Sequence, residues 1–213
     1  VLGMKALKGG DDRFYARTLR HFVIWTGWAV LGLGLFTSDL MAFLQATFDV
    51  DAQYLVANGL VLPLAAGFMA FGVYIIVNNV LLATGRTRVV GSTVAAAALL
   101  NALLNVALIP LLGALGAALA TVVAYTTLAA MAARYARREL AIGYPWKALV
   151  IVLVLIVALF ASSQLVTALA DLPRFLVRVA LWLAYGGAIL GFGLYRMSDI
   201  VRGVQSLRQR IEG

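Results

Sequence analysis

The chain has 213 residues, 63% of them hydrophobic and only 12% charged, with a net charge of +8. Soluble domains are about 45–50% apolar and about 25% charged, so this composition, with a mean hydropathy of +0.97, excludes a soluble domain and predicts an all-α integral membrane protein. With no cysteine, disulfides, thiolate nucleophiles and zinc–thiolate sites are excluded as well.

In chain order, residues 1–20 hold Lys5, Lys8, Gly9, Gly10, Asp11, Asp12, Arg13, Arg17 and Arg20. That is too charged for a signal peptide, and it reads as an amphipathic connector facing the cytoplasm. Residue 1 is Val rather than Met, so the chain is expected to be a piece of a longer protein. A first apolar span runs from residue 21 to about 46, long enough to cross roughly 30 Å of hydrocarbon. Residues 48–53 form a short acidic loop with Asp49 and Asp51. A second span, about 54–83, contains Pro63, Gly67 and Gly72, which predict a kink or irregular turn. Residues 84–88 make a tight basic turn.

The third and fourth spans, about 89–109 and 115–133, form a hairpin around a Pro-Leu-Leu-Gly turn. Asn101 and Asn105 are four apart and so share one helix face. Pro110 is expected to end the third helix, because it has no N–H to donate. Gly113, Gly116, Ala117 and Ala120 then offer a face of small residues against which another backbone packs closely. Residues 134–147 read as a basic linker broken at Gly143, Tyr144 and Pro145. A fifth span covers about 146–170 and a sixth about 175–195, so residues 148–195 supply two further helices. Gly187 and Gly191 predict a second close-packing face on the sixth. A basic tail, residues 196–213, closes the chain.

Charge sets an orientation for these six spans. If the N-terminal segment is cytoplasmic, fifteen of the seventeen basic residues collect on that side. Only Arg174 and Arg178 fall opposite. The positive-inside rule then predicts both termini in the cytoplasm. The basic residues lie at the ends of apolar runs, without the polar surroundings and stacking aromatics of a nucleic-acid groove, so no nucleic-acid partner is expected.

The pattern of residues 101–125, NALLNVALIPLLGALGAALATVVAY, resembles the signature of polysaccharide exporters and O-antigen flippases of the multidrug/oligosaccharidyl-lipid/polysaccharide transporter superfamily. Lys8-Gly9-Gly10-Asp11-Asp12 is similar to the connector before the third helix of that family's C-terminal lobe. Residues 79–88 are similar to its loop between the fourth and fifth helices. The resemblance covers about residues 3–125, and residues 148–195 would then be the two extra helices of fourteen-helix members. It implies six transmembrane helices from the C-terminal lobe of a 12–14-helix, two-lobe transporter in a bacterial inner membrane. The implied function is flipping of a polyprenyl-diphosphate-linked glycan between leaflets by alternating access, for lipopolysaccharide or exopolysaccharide biosynthesis. The implied partners are the lipid bilayer, the glycan-lipid and an N-terminal lobe of the same protein, which this chain lacks.

Few polar side chains lie within the spans. Asp39 is the one carboxylate inside an apolar run, where a charge costs about 2.5–3.5 kcal/mol on insertion scales. It reads either as a cavity or coupling group or, more plainly, as a residue wetting or capping a helix break near the outer interface; on the second reading Asp39→Asn leaves transport largely intact. Asn78, Asn79, Asn101 and Asn105 are candidates for a substrate cavity, with interhelical amide bonding as the alternative role. Arg86 and Arg88 set topology before they bind phosphate, and Arg174 and Arg178 snorkel to outer-leaflet phosphates. Trp25, Trp28, Trp146 and Trp182 read as interfacial anchors.

One histidine, no cysteine and no paired carboxylates, Gly-rich phosphate loop or metal-ligand spacing argue against an enzyme and against any cofactor or metal. Two alternatives to the flippase stay open: a cation-coupled drug or metabolite antiporter of the same superfamily, with Asp39 as its acid, and a six-span scaffold without transport.

Overall fold

A computed structural model describes residues 12–48 and 58–195. The expectations for residues 1–11, the acidic pair Asp49 and Asp51, and the tail 196–213 lie outside the described residues. Among the described residues six α-helices follow one another: α1 (Asp12–Phe48), α2 (Asn58–Ala83), α3 (Thr87–Leu112), α4 (Ala114–Glu139), α5 (Trp146–Gln164) and α6 (Asp171–Gly191). All six are long and apolar enough to cross a membrane. Most large apolar side chains on α3 stay on the outside, among them Leu99, Leu103 and Val106, as a lipid or protein environment requires and water does not. The chain is a multi-pass, all-α membrane protein.

Several helix boundaries differ from the sequence reading. Residues 12–20 are no separate connector but the first turns of α1, which runs 37 residues without interruption. No helix break therefore exists for Asp39 to cap. Residues 134–139 likewise belong to α4, leaving a linker of residues 140–145. Pro63 lies inside a continuous α2, and Pro110 lies inside α3 rather than at its end. A proline in the last turn forfeits one backbone bond, and the helix continues past it for two residues. Gly113 stops it instead: its φ of +57° is open to a residue without Cβ, and its N–H still bonds the Ile109 carbonyl at 2.8 Å. Pro173 falls in the first turn of α6, where the missing N–H would have had no helical partner.

α1 is the central element. On one side it packs against α2, which in turn packs on α4, with α3 on the far side of α4. On the other it packs against α5 and α6. Two buried clusters follow from this order. Tyr15, Leu19, Val77, Val80, Leu81, Ala132 and Ala136 join α1, α2 and α4. Val23, Leu31, Leu35, Val152, Ile156, Tyr185 and Ile189 join α1, α5 and α6.

Small residues let these helices approach. A Cβ at Gly72 would lie 2.1 Å from the ring of Phe22, and one at Gly116 would lie 2.4 Å from the Leu108 carbonyl oxygen. Gly116 and Ala120 are buried on α4, with Ala118, Ala124 and Leu128 beside them, whereas Gly113 is exposed in the turn and Ala117 half-buried. The face at Gly187 and Gly191 is corrected: nothing lies within 4 Å of a Cβ at either. Arg178, Tyr185 and Ile189 are the buried face of α6. Nine residues at about 100° each set Gly187 half a turn away from Arg178.

Candidate functional site

α2 and α3 touch little, and α4 lies against both. The resulting cleft holds about 410 Å³ and is lined by Phe71 and Tyr74 from α2, Ala97, Ala98 and Asn101 from α3, and Thr121, Ala124, Tyr125 and Leu128 from α4. Small side chains on α3 and α4 leave the volume open, and three aromatic rings wall it. Phe71 and Tyr125 lie with centroids 4.8 Å apart, and Phe71 and Tyr74 at 5.6 Å. Asn101 is fourteen residues into the 26-residue α3, roughly 21 Å along at 1.5 Å per residue. The cleft therefore lies near mid-depth of the bundle.

Asn101 lines the cleft, and Asn105, predicted to share its face, does not. Asn105 Nδ2 donates to Asn101 Oδ1 at 2.9 Å within α3, so the bond links successive turns rather than neighbouring helices. Asn105 Oδ1 stays buried without a donor. Thr121 donates to the Ala117 carbonyl at 3.0 Å. Asn78, one turn beyond Tyr74 on α2, is half-buried with its Oδ1 also lacking a donor; Asn79 points outward and is exposed.

Asp39 is not part of this cleft. It meets Arg178 of α6 at 2.6 Å, with side-chain exposures of 25% and 8%, beside a second hollow lined by Phe36, Phe175, Val179 and Trp182. Arg178 thus ion-pairs within the bundle instead of snorkelling, and Arg174 pairs with Asp171 at 2.6 Å. Two of the expected anchors also face inward. Trp28 and Trp182 stack at 4.1 Å, and each indole N–H donates to the other's backbone carbonyl at 3.2 Å. Tyr185 donates to the Ile24 carbonyl at 2.8 Å. These bonds tie α6 to α1 where apolar contact alone has little drive in lipid. Trp25 and Trp146 remain exposed.

Arg86 bonds Glu139 at 2.9 Å across the basic end. Nine of the eleven described Lys and Arg residues lie at that end and two at the other. No group of three metal-ligating side chains occurs among the described residues. The pair Asp39–Arg178 is the feature sequence reasoning missed. Its signal was an acid inside one apolar run and an arginine inside another at the same end of the bundle, Arg174 being taken up by Asp171 three residues before it. Comparison with family models, curated proteins and solved structures gives no match.

Proposed function

We propose that the chain is the membrane-embedded part of a transporter that flips a polyprenyl-diphosphate-linked glycan from the inner to the outer leaflet of a bacterial membrane. It would form the C-terminal lobe of a two-lobe, 12–14-helix protein working by alternating access, with both termini cytoplasmic. One observation carries this reading: a mid-depth cleft in an apolar bundle sets the amide of Asn101 and the hydroxyl of Thr121 among aromatic rings. Amides exchange hydrogen bonds with sugar hydroxyls, aromatic faces take the C–H faces of the rings, and transporter sites lie near the midplane. The resemblance of residues 101–125 supports the same reading, because those residues form the second half of α3, the Gly113 turn and the first half of α4, and Asn101, Thr121, Ala124 and Tyr125 among them line the cleft.

The antiporter reading is the weaker one. Its coupling acid, Asp39, is held by Arg178 in a different hollow from the amides. The test is a proteoliposome assay on the complete gene product. A fluorescent polyprenyl-diphosphate oligosaccharide is loaded, and its exposure to a membrane-impermeant reagent is followed. Flipping well above the rate of protein-free vesicles is the expected result. A rate equal to theirs removes the proposal.

A further inference from the structure

α3 is joined to its neighbours at opposite ends. At the basic end residues 84–86 connect it to α2, and at the other end Gly113 connects it to α4. The Gly113 end is fixed, because the backbone at Gly116 of α4 lies against the Leu108 carbonyl. The basic half is held by less. Of the 26 residues of α3, Thr93 and Ala97 are buried, and Val89 and Val90 rest part-buried on the cluster of α1, α2 and α4. The side-chain hydrogen bonds of Ser92, Thr93 and Asn105 all end on α3 itself.

One ion pair crosses from this end of α3 to α4. Arg86, the N-cap of α3, donates through Nε to Oε1 of Glu139, the last residue of α4, at 2.9 Å. With side-chain exposures of 57% and 19%, the pair is a surface contact of modest strength. It still carries weight here, because no hydrophobic force returns an apolar helix to its neighbour in lipid. The chain can pivot on either side of α3. Gly85 has φ +75° and Gly113 φ +57°, and nothing lies within 4 Å of a Cβ at either, so neither turn is crowded. α3 carries Ala97, Ala98 and Asn101 into the wall of the cleft. Swinging its basic half away from α4 therefore opens the cleft toward the basic end.

We infer that α3 is a lid over the cleft, pivoting at Gly113 and latched at the basic end by Arg86 and Glu139. Breaking the latch frees the basic half of the lid, and closing it seals the cleft from that end. A ligand that touches Asn101 on the lid and Thr121 or Tyr125 on α4 bridges lid and wall, so its binding favours the closed state. The role of the lid in transport rests on the cleft being the binding site of the flippase reading. The motion itself needs no substrate, and its test uses none.

The experiment is thiol labelling of the complete gene product in detergent. The chain has no cysteine, so Ala97→Cys, at a position 4% exposed, puts a single thiol of this chain under the lid. Its modification by a water-soluble maleimide is timed by mass spectrometry of the peptide carrying residue 97, and the rate follows the open population. Thr93→Cys, at the other buried position of α3, serves if Ala97→Cys does not fold. Glu139→Gln should raise the rate about fivefold, the equivalent of about 1 kcal/mol for an exposed pair. The charge-swapped Arg86→Glu/Glu139→Arg protein should return it to the original value. Val152→Cys, at a buried position between α1, α5 and α6, should label at the same rate with and without Glu139→Gln. An unchanged rate under the lid in Glu139→Gln overturns the latch. An equal rise at residue 152 reduces the effect to general loosening and overturns the lid. Flipping does not enter these rates, so the lid and the flippase reading fall separately.

Discussion

Arg178 of α6 and Asp39 of α1, 139 positions apart, close a 2.6 Å ion pair at the end of the bundle opposite the basic one. With Arg178 8% exposed, the pair binds α6 to α1 through a contact that each partner needs. Neutralising one partner leaves the other charge without compensation, which costs about 3–5 kcal/mol for a buried pair. Asp39→Asn is therefore expected to lower the unfolding midpoint sharply, and the charge-swapped Asp39→Arg/Arg178→Asp protein to recover part of the loss. Thermal unfolding in detergent reads both. An Asp39→Asn midpoint equal to wild type would show that the pair contributes nothing.

Gly116 tests the hairpin. Its backbone lies against the Leu108 carbonyl so closely that an added Cβ would sit 2.4 Å from that oxygen, and the obstacle is backbone rather than a movable side-chain tip. Gly116→Ala is expected to destabilise by roughly 1–3 kcal/mol, the range of an overpacked core, and Gly116→Leu to prevent assembly. Yield of monodisperse protein after detergent extraction measures this. A Gly116→Leu protein folded at wild-type yield would refute the close approach of α3 and α4.

How far the sequence carried the fold follows from which interactions are local. Runs of apolar residues punctuated by charge located six helices, because burying backbone in lipid demands long uninterrupted hydrogen bonding. The shared face of Asn101 and Asn105 was readable too, since a four-residue spacing sets both on it, but the bonding expected between helices falls within one, from Asn105 to Asn101. Pro110 misled because the bond it forfeits and the crowding it causes fall on the turn before it, which does not stop the helix at once: two more residues follow before Gly113 ends it. Gly187 and Gly191 misled because spacing defines a face without saying whether a neighbour covers it. The Asp39–Arg178 pair and the Trp28–Trp182 stack depend on which helices become neighbours. That is a property of the assembled bundle, and no single run of sequence contains it.

The linker between α4 and α5 gives a pH signature. Tyr144 donates to the Ala133 carbonyl at 2.9 Å, and burial pushes its phenol from 10.0 up to about 12, with Arg137 pulling weakly the other way. The folded value is the higher one, so the fold favours the neutral phenol. Its contribution is complete below pH 10 and is lost as pH rises from about 10 to about 12. Wild-type stability should fall more steeply over that window than the stability of Tyr144→Phe, which has no phenol to ionise. At neutral pH the variant should be less stable by about 1 kcal/mol, one net hydrogen bond. Parallel curves for the two proteins would remove Tyr144 as the source.

The amides of α3 separate a packing role from a binding one. Asn101→Leu alone leaves Asn105, whose Oδ1 is already without a donor, deprived of its acceptor as well, at an expected cost of roughly 1–3 kcal/mol for the stranded group. Replacing both residues by leucine removes both polar groups, so the double variant should regain near-wild-type stability. Flipping by that variant then decides between the roles. If Asn101 binds sugar hydroxyls in the cleft, the stable double variant flips the glycan-lipid at least about tenfold more slowly, the equivalent of one good hydrogen bond at 1.4 kcal/mol. A double variant that is stable and flips at the wild-type rate would reduce the amides to packing and move the substrate contacts to Thr121, Tyr74 and Tyr125.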